Sequence, residues 1–355
     1  MTIRIFFIRS VFCLTFLIFQ TLFLGNSLVA TASDTALNDR SIVTFTTTSL
    51  DNRFFTEGAS VADLDLDGDI DLIAGPFWFE GPLFTQRHTF YETTPFDPQG
   101  YSNNFFSFTH DMNNDGFPDI LVYGFPGKDA SWFENPGKKE GLWKRHLVLE
   151  RIDNESPTWT DLTGDGVPEI LCSVDGFFGY APINDADPTK PWTFHRISTQ
   201  TAGGQFTHGL GYGDVDGDGR VDILEKSGWW QQPESLEEDS VWKKRSVEFS
   251  QAGGAQMFVR HVDADALPDV ITSLSAHGFG LAWFRQTKGP DGQRQFQQYK
   301  ITGERLSENP YRTAFSQIHA IDMADIDGDG LDDIVTGKRY WAHGPNKQVR
   351  MFSRF

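Results

Sequence analysis

The sequence predicts an all-β fold, a β-propeller of four-stranded blades, and three observations predict it. An Asp-rich loop recurs at regular intervals along the chain. A short apolar strand bounded by Gly or Pro follows each copy. An aromatic segment and an alternating strand then complete each unit. Four-stranded units repeated around an axis leave only short, protected strand edges.

The loops align on their acidic residues. The first carries Asp63, Asp65, Asp67, Gly68 and Asp71, and the second Asp111, Asn113, Asp115, Gly116 and Asp119. The third has Asp161, Thr163, Asp165, Gly166 and Glu169, and the fourth Asp214, Asp216, Asp218, Gly219 and Asp222. The fifth is degraded to His261, Asp263, Asp265, Ala266 and Asp269, whereas the sixth keeps Asp325, Asp327, Asp329, Gly330 and Asp333. Start-to-start spacings are 48, 50, 53, 47 and 64 residues.

Oxygens at positions 1, 3 and 5 of such a loop converge on a hard cation. Glycine at position 6 permits the sharp turn, and a carbonyl at 7 with a carboxylate at 9 completes six or more oxygen ligands. That donor set suits Ca²⁺ better than Mg²⁺, so several calcium ions are expected. The fifth loop is expected to bind none, since imidazole is a poor partner for a hard cation and Ala266 resists the glycine turn. The third loop is expected to bind more weakly than the first, fourth and sixth.

Strands follow the loops at 71–74, 119–122, 169–172, 222–224, 269–271 and 333–335. Aromatic pairs come next in most repeats: Trp78 and Phe79, Trp132 and Phe133, Trp229 and Trp230, Trp283 and Phe284, Tyr340 and Trp341. Their recurrence points to packing between blades. Trp159 lies outside this repeated slot. Six repeats are visible, which gives six blades, or seven with one incomplete. Residues 41–47 could add an outer strand to the last blade and close the ring.

The formal net charge is −19, with 39% apolar and 14% aromatic residues. That is ample for a core, and an acidic surface repels phosphate backbones, so no nucleic-acid partner is expected. The N-terminus has Arg4 and Arg9, an apolar run over 11–24, and Ala30, Thr31 and Ala32 as a small-x-small cleavage site. We expect a signal peptide over 1–32, a linker over 33–40 and the propeller over 41–355. The product is then secreted or periplasmic, with no membrane span after cleavage. The alternative is an uncleaved anchor, for which the apolar run is short. Cys172 is alone after cleavage and reads as a small buried hydrophobe.

The D-x-D-x-D-G-x-x-D loops resemble the FG-GAP/VCBS repeat family over roughly 41–345. Stretches 207–210, 228–230, 276–278 and 336–343 are more narrowly similar to exported propellers of planctomycete-like bacteria, and to the propeller part of aldos-2-ulose dehydratase, a sugar lyase. The resemblance implies calcium-supported recognition. Fold transfers well across such a family and function poorly.

If each calcium loop joins the first and second strands of a blade, the lead-in segments and the turns after the second strand share the opposite face. Six residues before each loop stand Glu57, Phe105, Glu155, His208, Ala255 and His319. The turns add Lys128, Asp129, Asp175, Lys226, His277, Lys338, Arg339 and His343. We take Glu57, Glu155, His208, His277, His319, Lys338, Arg339 and His343 as candidate ligand contacts. A second metal held by His208, His319 and the two glutamates is a further reading, and an ordinary solvated channel mouth is the bland one. No Gly-x-Ser-x-Gly elbow, His-Glu-x-x-His helix, phosphate loop or dinucleotide fingerprint is present. The expectation is therefore a recognition module for a glycan or protein rather than an enzyme. The alternatives are a sugar lyase or dehydratase using His208, His319, Lys338 or His343, and a purely structural or adhesive protein.

Overall fold

The computed structural model describes residues 5–7, 43–236, 241–263, 265–309 and 314–337. Its sheets follow the repeats. Blade one is β2 (Ala59–Ala62), β3 (Asp71–Ala74), β4 (Phe77–Phe79) and β5 (Arg87–Thr89). Blade two is β6 (Phe106–His110), β7 (Asp119–Tyr123), β8 (Lys128–Glu134) and β9 (Lys144–Ile152). Blade three is β10 (Thr158–Thr160), β11 (Glu169–Val174), β12 (Phe177–Ala181) and β13 (His195–Arg196). Blade four is β14 (Leu210–Gly213), β15 (Asp222–Glu225), β16 (Gly228–Gln231) and β17 (Lys243–Ser246). Blade five is β18 (Gln256–Arg260), β19 (Asp269–Ser273), β20 (Leu281–Lys288) and β21 (Arg294–Thr302). Blade six contributes β22 (Ala320–Ala324) and β23 (Asp333–Gly337). Each blade is an antiparallel meander, so the fold is the expected β-propeller.

Innermost strands of successive blades lie side by side. Ser60 and Ser107 bond through their hydroxyls at 3.0 Å, joining blades one and two. Blades four and five are continuous, because β14 pairs in parallel with β18, Leu210 opposite Gln256 and Tyr212 opposite Phe258. Ser273 Oγ donates to the Ile318 carbonyl at 3.0 Å, joining blades five and six.

The core lies between blades. Trp132 of blade two packs with Ile170, Cys172 and Trp192 of blade three. Trp78, Trp132, Trp229 and Trp230 are buried, as the repeated aromatic slot predicted. Trp159 joins the same packing, with its ring 5.9 Å from that of Trp192. Cys172 is fully buried and unpaired, and burial pushes its thiol far above the ordinary range.

An amide side chain latches neighbouring blades. Asn135 Nδ2 donates to the Leu64 carbonyl at 2.9 Å, Gln232 Nε2 to Leu162 at 2.8 Å and Gln286 Nε2 to Val215 at 3.0 Å. In each case the second residue after the third strand's aromatic pair holds position 2 of the preceding blade's loop.

Two features differ from expectation. Residues 43–49 form no strand, so the proposed closing strand is not made there. Its partner would belong to 338–355, outside the described residues. In the sixth sheet the place beside β23 is taken by β1 (Ile5–Phe7), which runs parallel to it with Ile5 opposite Ile334. An apolar, β-favouring triplet fits an open edge. Cleavage after Ala32 would remove it, and the rest of the expected leader lies outside the described residues. No helix among the described residues is long and apolar enough to cross a membrane.

Candidate functional site

The Asp loops lie between first and second strands, as the motif spacing predicted. Position 1 organises each turn. Asp63 accepts from the amides of Asp67 and Gly68, both at 3.1 Å, and Asp111, Asp214 and Asp325 accept from the equivalent pairs. Gly68, Gly116, Gly166, Gly219 and Gly330 take φ between 85° and 97°, where a side chain is strained.

Ligand atoms from Asp63, Asp65 and Asp71 lie within 4.8 Å of one another, as do those of Asp161, Asp165 and Glu169, and of Asp214, Asp216 and Asp218. Glu80, which the sequence reading passed over, forms a similar group with Asp65 and Asp67. Asp216 Oδ1 is buried and takes no hydrogen bond from any described residue. These all-oxygen, preformed donor sets fit a hard cation.

Position 9 does more than offer a ligand. Asp71, Asp119, Glu169, Asp222, Asp269 and Asp333 are all buried. In Asp119 one oxygen accepts from the Met112 amide at 2.9 Å and the other from Asn135 at 2.7 Å. Asp222 takes the amides of Val215 and Gln232 in the same way, and Asp269 those of Val262 and Gln286. Burial pushes Asp119 and Asp222 up to about 7. Burial also raises Asp71, Glu169 and Asp269 above the usual carboxylate range.

Two loops differ for visible reasons. In the third, the Thr163 hydroxyl is turned onto Glu169 Oε1 at 2.8 Å. In the fifth, Arg285 carries its own positive charge into the loop. Its Nε lies 2.5 Å from Asp263 and its Nη2 3.2 Å from Asp265. The residue in this slot after the third strand's aromatic pair is Glu80 in blade one, Glu134 in blade two and Gln231 in blade four. A basic residue stands there only where the loop is degraded among these four, a signal present in the sequence and unread. Asp216→Ala should weaken calcium binding measurably by calorimetry, whereas Asp263→Ala should leave it unchanged. Equal losses would contradict this ranking of the loops.

The opposite face gathers several predicted contacts at one corner. Glu155 leads into β10, His208 into β14 and His319 into β22, and His277 sits on the turn between β19 and β20. His208 Nε2 is 3.0 Å from His277 Nε2 and 3.2 Å from Glu155 Oε2. His319 Nε2 is 3.9 Å from the same glutamate oxygen. The three rings lie 4.8–5.4 Å apart between centroids.

Backbone contacts hold the corner. The Glu155 amide donates to the Thr207 carbonyl at 2.9 Å, and the Gln317 amide to Gly278 at 2.7 Å. The Ala276 amide donates to Gly253 at 2.9 Å. A Cβ on Gly253 would stand 2.4 Å from the His208 carbonyl, so this approach requires glycine. Gln317 takes φ 66°, an unusual conformation for a side-chain-bearing residue.

Charge coupling follows. Burial disfavours the Glu155 carboxylate, but His208, His319 and His277 together outweigh it and hold its pKa below the ordinary value. Burial likewise opposes charge on His208, yet Glu155 and the Phe206 carbonyl raise it.

Other predicted contacts are elsewhere. Glu57 accepts from the backbone amide and hydroxyl of Ser102. Asp129 pairs with Arg145, and Asp175 lies 3.8 Å from Arg151. Lys338, Arg339 and His343 lie outside the described residues. The sequence reading also missed Phe206, which is 50% exposed beside His208. Its ring is 5.6 Å from Phe125, which in turn is 5.0 Å from Tyr101. Phe206, His208, Thr201, Glu225 and Lys226 line a cavity of about 190 Å³.

Residues 83–172 match the family model of the FG-GAP-like repeat. That stretch holds the second and third Asp loops. A search of curated proteins gives no match. Among solved structures, the chain is similar to an Agrocybe aegerita lectin that recognises non-reducing terminal N-acetylglucosamine. The identity is 19% and the TM-score 0.49, over 78% of this chain and 73% of the lectin. It is also similar to the V. cholerae biofilm matrix protein Bap1, at 14% identity and TM-score 0.36, over 70% of this chain and 38% of that one. A third is rhamnogalacturonan lyase YesW, at 13% identity and TM-score 0.41, over 79% of this chain and 54% of the lyase.

Proposed function

We propose that this chain is an exported, calcium-supported propeller that recognises a glycan through the face opposite its Asp loops. The convergence of Glu155, His208, His277 and His319 carries the reading, because four repeats each deliver a polar side chain to one point that the blade fold does not require. Beside it, exposed Phe206 offers a flat apolar surface for a sugar ring, and Lys226 and Thr201 offer hydrogen-bond donors. Calcium would be held by Asp63, Asp65, Asp67 and Asp71, and by the equivalent residues of the second, third, fourth and sixth loops. It would brace the turns on the far side of the ring, away from the ligand.

One observation favours a second reading, a sugar lyase or dehydratase. His208 Nε2 lies 3.2 Å from the Glu155 carboxylate, and a paired imidazole and carboxylate at a cavity can exchange protons with a bound sugar. A screen of the calcium-loaded chain against oligosaccharides and keto-sugars by mass spectrometry separates the two. Retention without chemistry, lost in Phe206→Ala, is the expected result. Loss of water from any sugar would make the protein an enzyme, and no retention at all would overturn the glycan reading.

A further inference from the structure

The geometry points to a transition-metal site, distinct in chemistry from the Asp loops, in which His208, His277, His319 and Glu155 bind one divalent ion of the zinc class. It deepens the reading of this corner as the ligand site.

Donor type comes first. Three imidazoles and one carboxylate form an N₃O set, which first-row divalent ions such as zinc favour and calcium does not. One donor atom from each histidine lies within 4.8 Å of the other two. Ligands on a tetrahedral ion with bonds of about 2.0–2.1 Å stand about 3.4 Å apart. The His208–His277 and His208–Glu155 separations of 3.0 and 3.2 Å lie just below that spacing, and the His319–Glu155 separation of 3.9 Å lies above it. Small side-chain adjustments would seat an ion.

Orientation comes second. His208 Nδ1 lies 2.7 Å from the Phe206 carbonyl, and His319 Nδ1 3.3 Å from the Gln317 carbonyl. A carbonyl can only accept, so Nδ1 carries the proton in both rings. Each then presents Nε2 to the cluster as a lone pair in its neutral form. A backbone carbonyl fixing the far nitrogen is the usual support of a metal-binding histidine. The same device, two residues upstream, serves two histidines from different blades.

Electrostatics comes third. His208 Nε2 and His277 Nε2 face each other at 3.0 Å, and either a proton or a cation must lie between two nitrogens that close. A single proton could bridge one such pair. Three rings and a carboxylate, converging from four blades, supply more donors than a proton needs. His277 is exposed and Glu155 mostly buried, so the site is open on one side. An ion held there would face the cavity beside Phe206 and Lys226, where a sugar hydroxyl or carboxylate could approach it.

The full chain, stripped by chelator, returned to excess calcium and then given about one to two equivalents of zinc, should retain about one zinc ion per molecule through gel filtration, read by elemental mass spectrometry. Co²⁺ in its place should give visible absorption of a four- or five-coordinate site. His277→Gln should lower zinc affinity by at least about tenfold, while the calcium-dependent melt stays unchanged and shows the variant folded. Glu155→Gln should lower it as well. Failure to retain zinc, or equal retention in His277→Gln, would overturn the site. Zinc taken up without any sugar retained would leave the metal site standing and remove the glycan reading. Sugar retained by a chain that refuses zinc would do the reverse.

Discussion

Stripping calcium from the chain should lower its melting temperature by about 10 °C or more. An ion that binds only the folded state stabilises by mass action, about 2.7 kcal/mol per site at a hundredfold excess over Kd. At about 2.1 cal/mol/K of unfolding entropy per residue, a chain of 355 residues shifts by about 1.3 °C per kcal/mol. Three filled loops are therefore enough for the predicted effect, and the sequence offers five intact or nearly intact copies. The physical basis is visible in the fourth loop, where Asp214, Asp216 and Asp218 crowd together and one Asp216 oxygen is buried without a donor. Burial and mutual repulsion of these carboxylates oppose folding, and a divalent cation relieves both. Calorimetry with calcium and with chelator measures the difference. An unchanged melt would remove calcium from the account of this fold.

Asp269→Ala should destabilise the protein by about 3 kcal/mol, equally with and without calcium. Asp269 belongs to the degraded loop, so its loss tests the position-9 carboxylate free of any ion. Its oxygens accept from the Val262 amide at 3.3 Å and the Gln286 amide at 2.7 Å, both in the interior. Leaving a buried donor unmade costs about 1–3 kcal/mol each. Gln286 also latches the preceding blade at Val215. Relief of the buried charge offsets part of the cost, since burial already raises the Asp269 pKa. Denaturant unfolding in calcium and in chelator measures it. A loss below about 1 kcal/mol, or one seen only with calcium, would show that position 9 matters as a ligand and not as a bracket.

The repeat made most of this architecture readable. Motif spacing located every described blade, because each loop must sit between two strands and its ninth residue begins the second. Four of the eight ligand-face candidates meet at one corner, and counting back six residues found three of them. His277 completes the set from a turn, in the blade where the lead-in position is Ala255. Periodicity does not mark residues that act across blades. Arg285 reads as one more basic residue in an alternating strand until its two carboxylate partners are seen. Phe206 precedes a strand and carries no periodic mark, whereas Trp159, which looked unusual in sequence, packs into the core. The N-terminal strand β1 carries no strand signal apart from that of a leader, because hydrophobicity serves export and edge pairing equally well.

The parallel pairing of β14 with β18 makes blades four and five a single eight-stranded slab. His208 precedes the first strand of that slab and His277 stands on one of its turns. Their separation is set by a continuous ladder of main-chain hydrogen bonds. Glu155 and His319 arrive from flanking blades, each fastened near the corner by isolated backbone bonds at Thr207 and Gly278. The corner thus has one wall on a continuous ladder and two that reach it through a few separate bonds. Amide exchange should therefore be slowest in the slab and faster where blades three and six meet the corner, and a bound ligand should protect those two most.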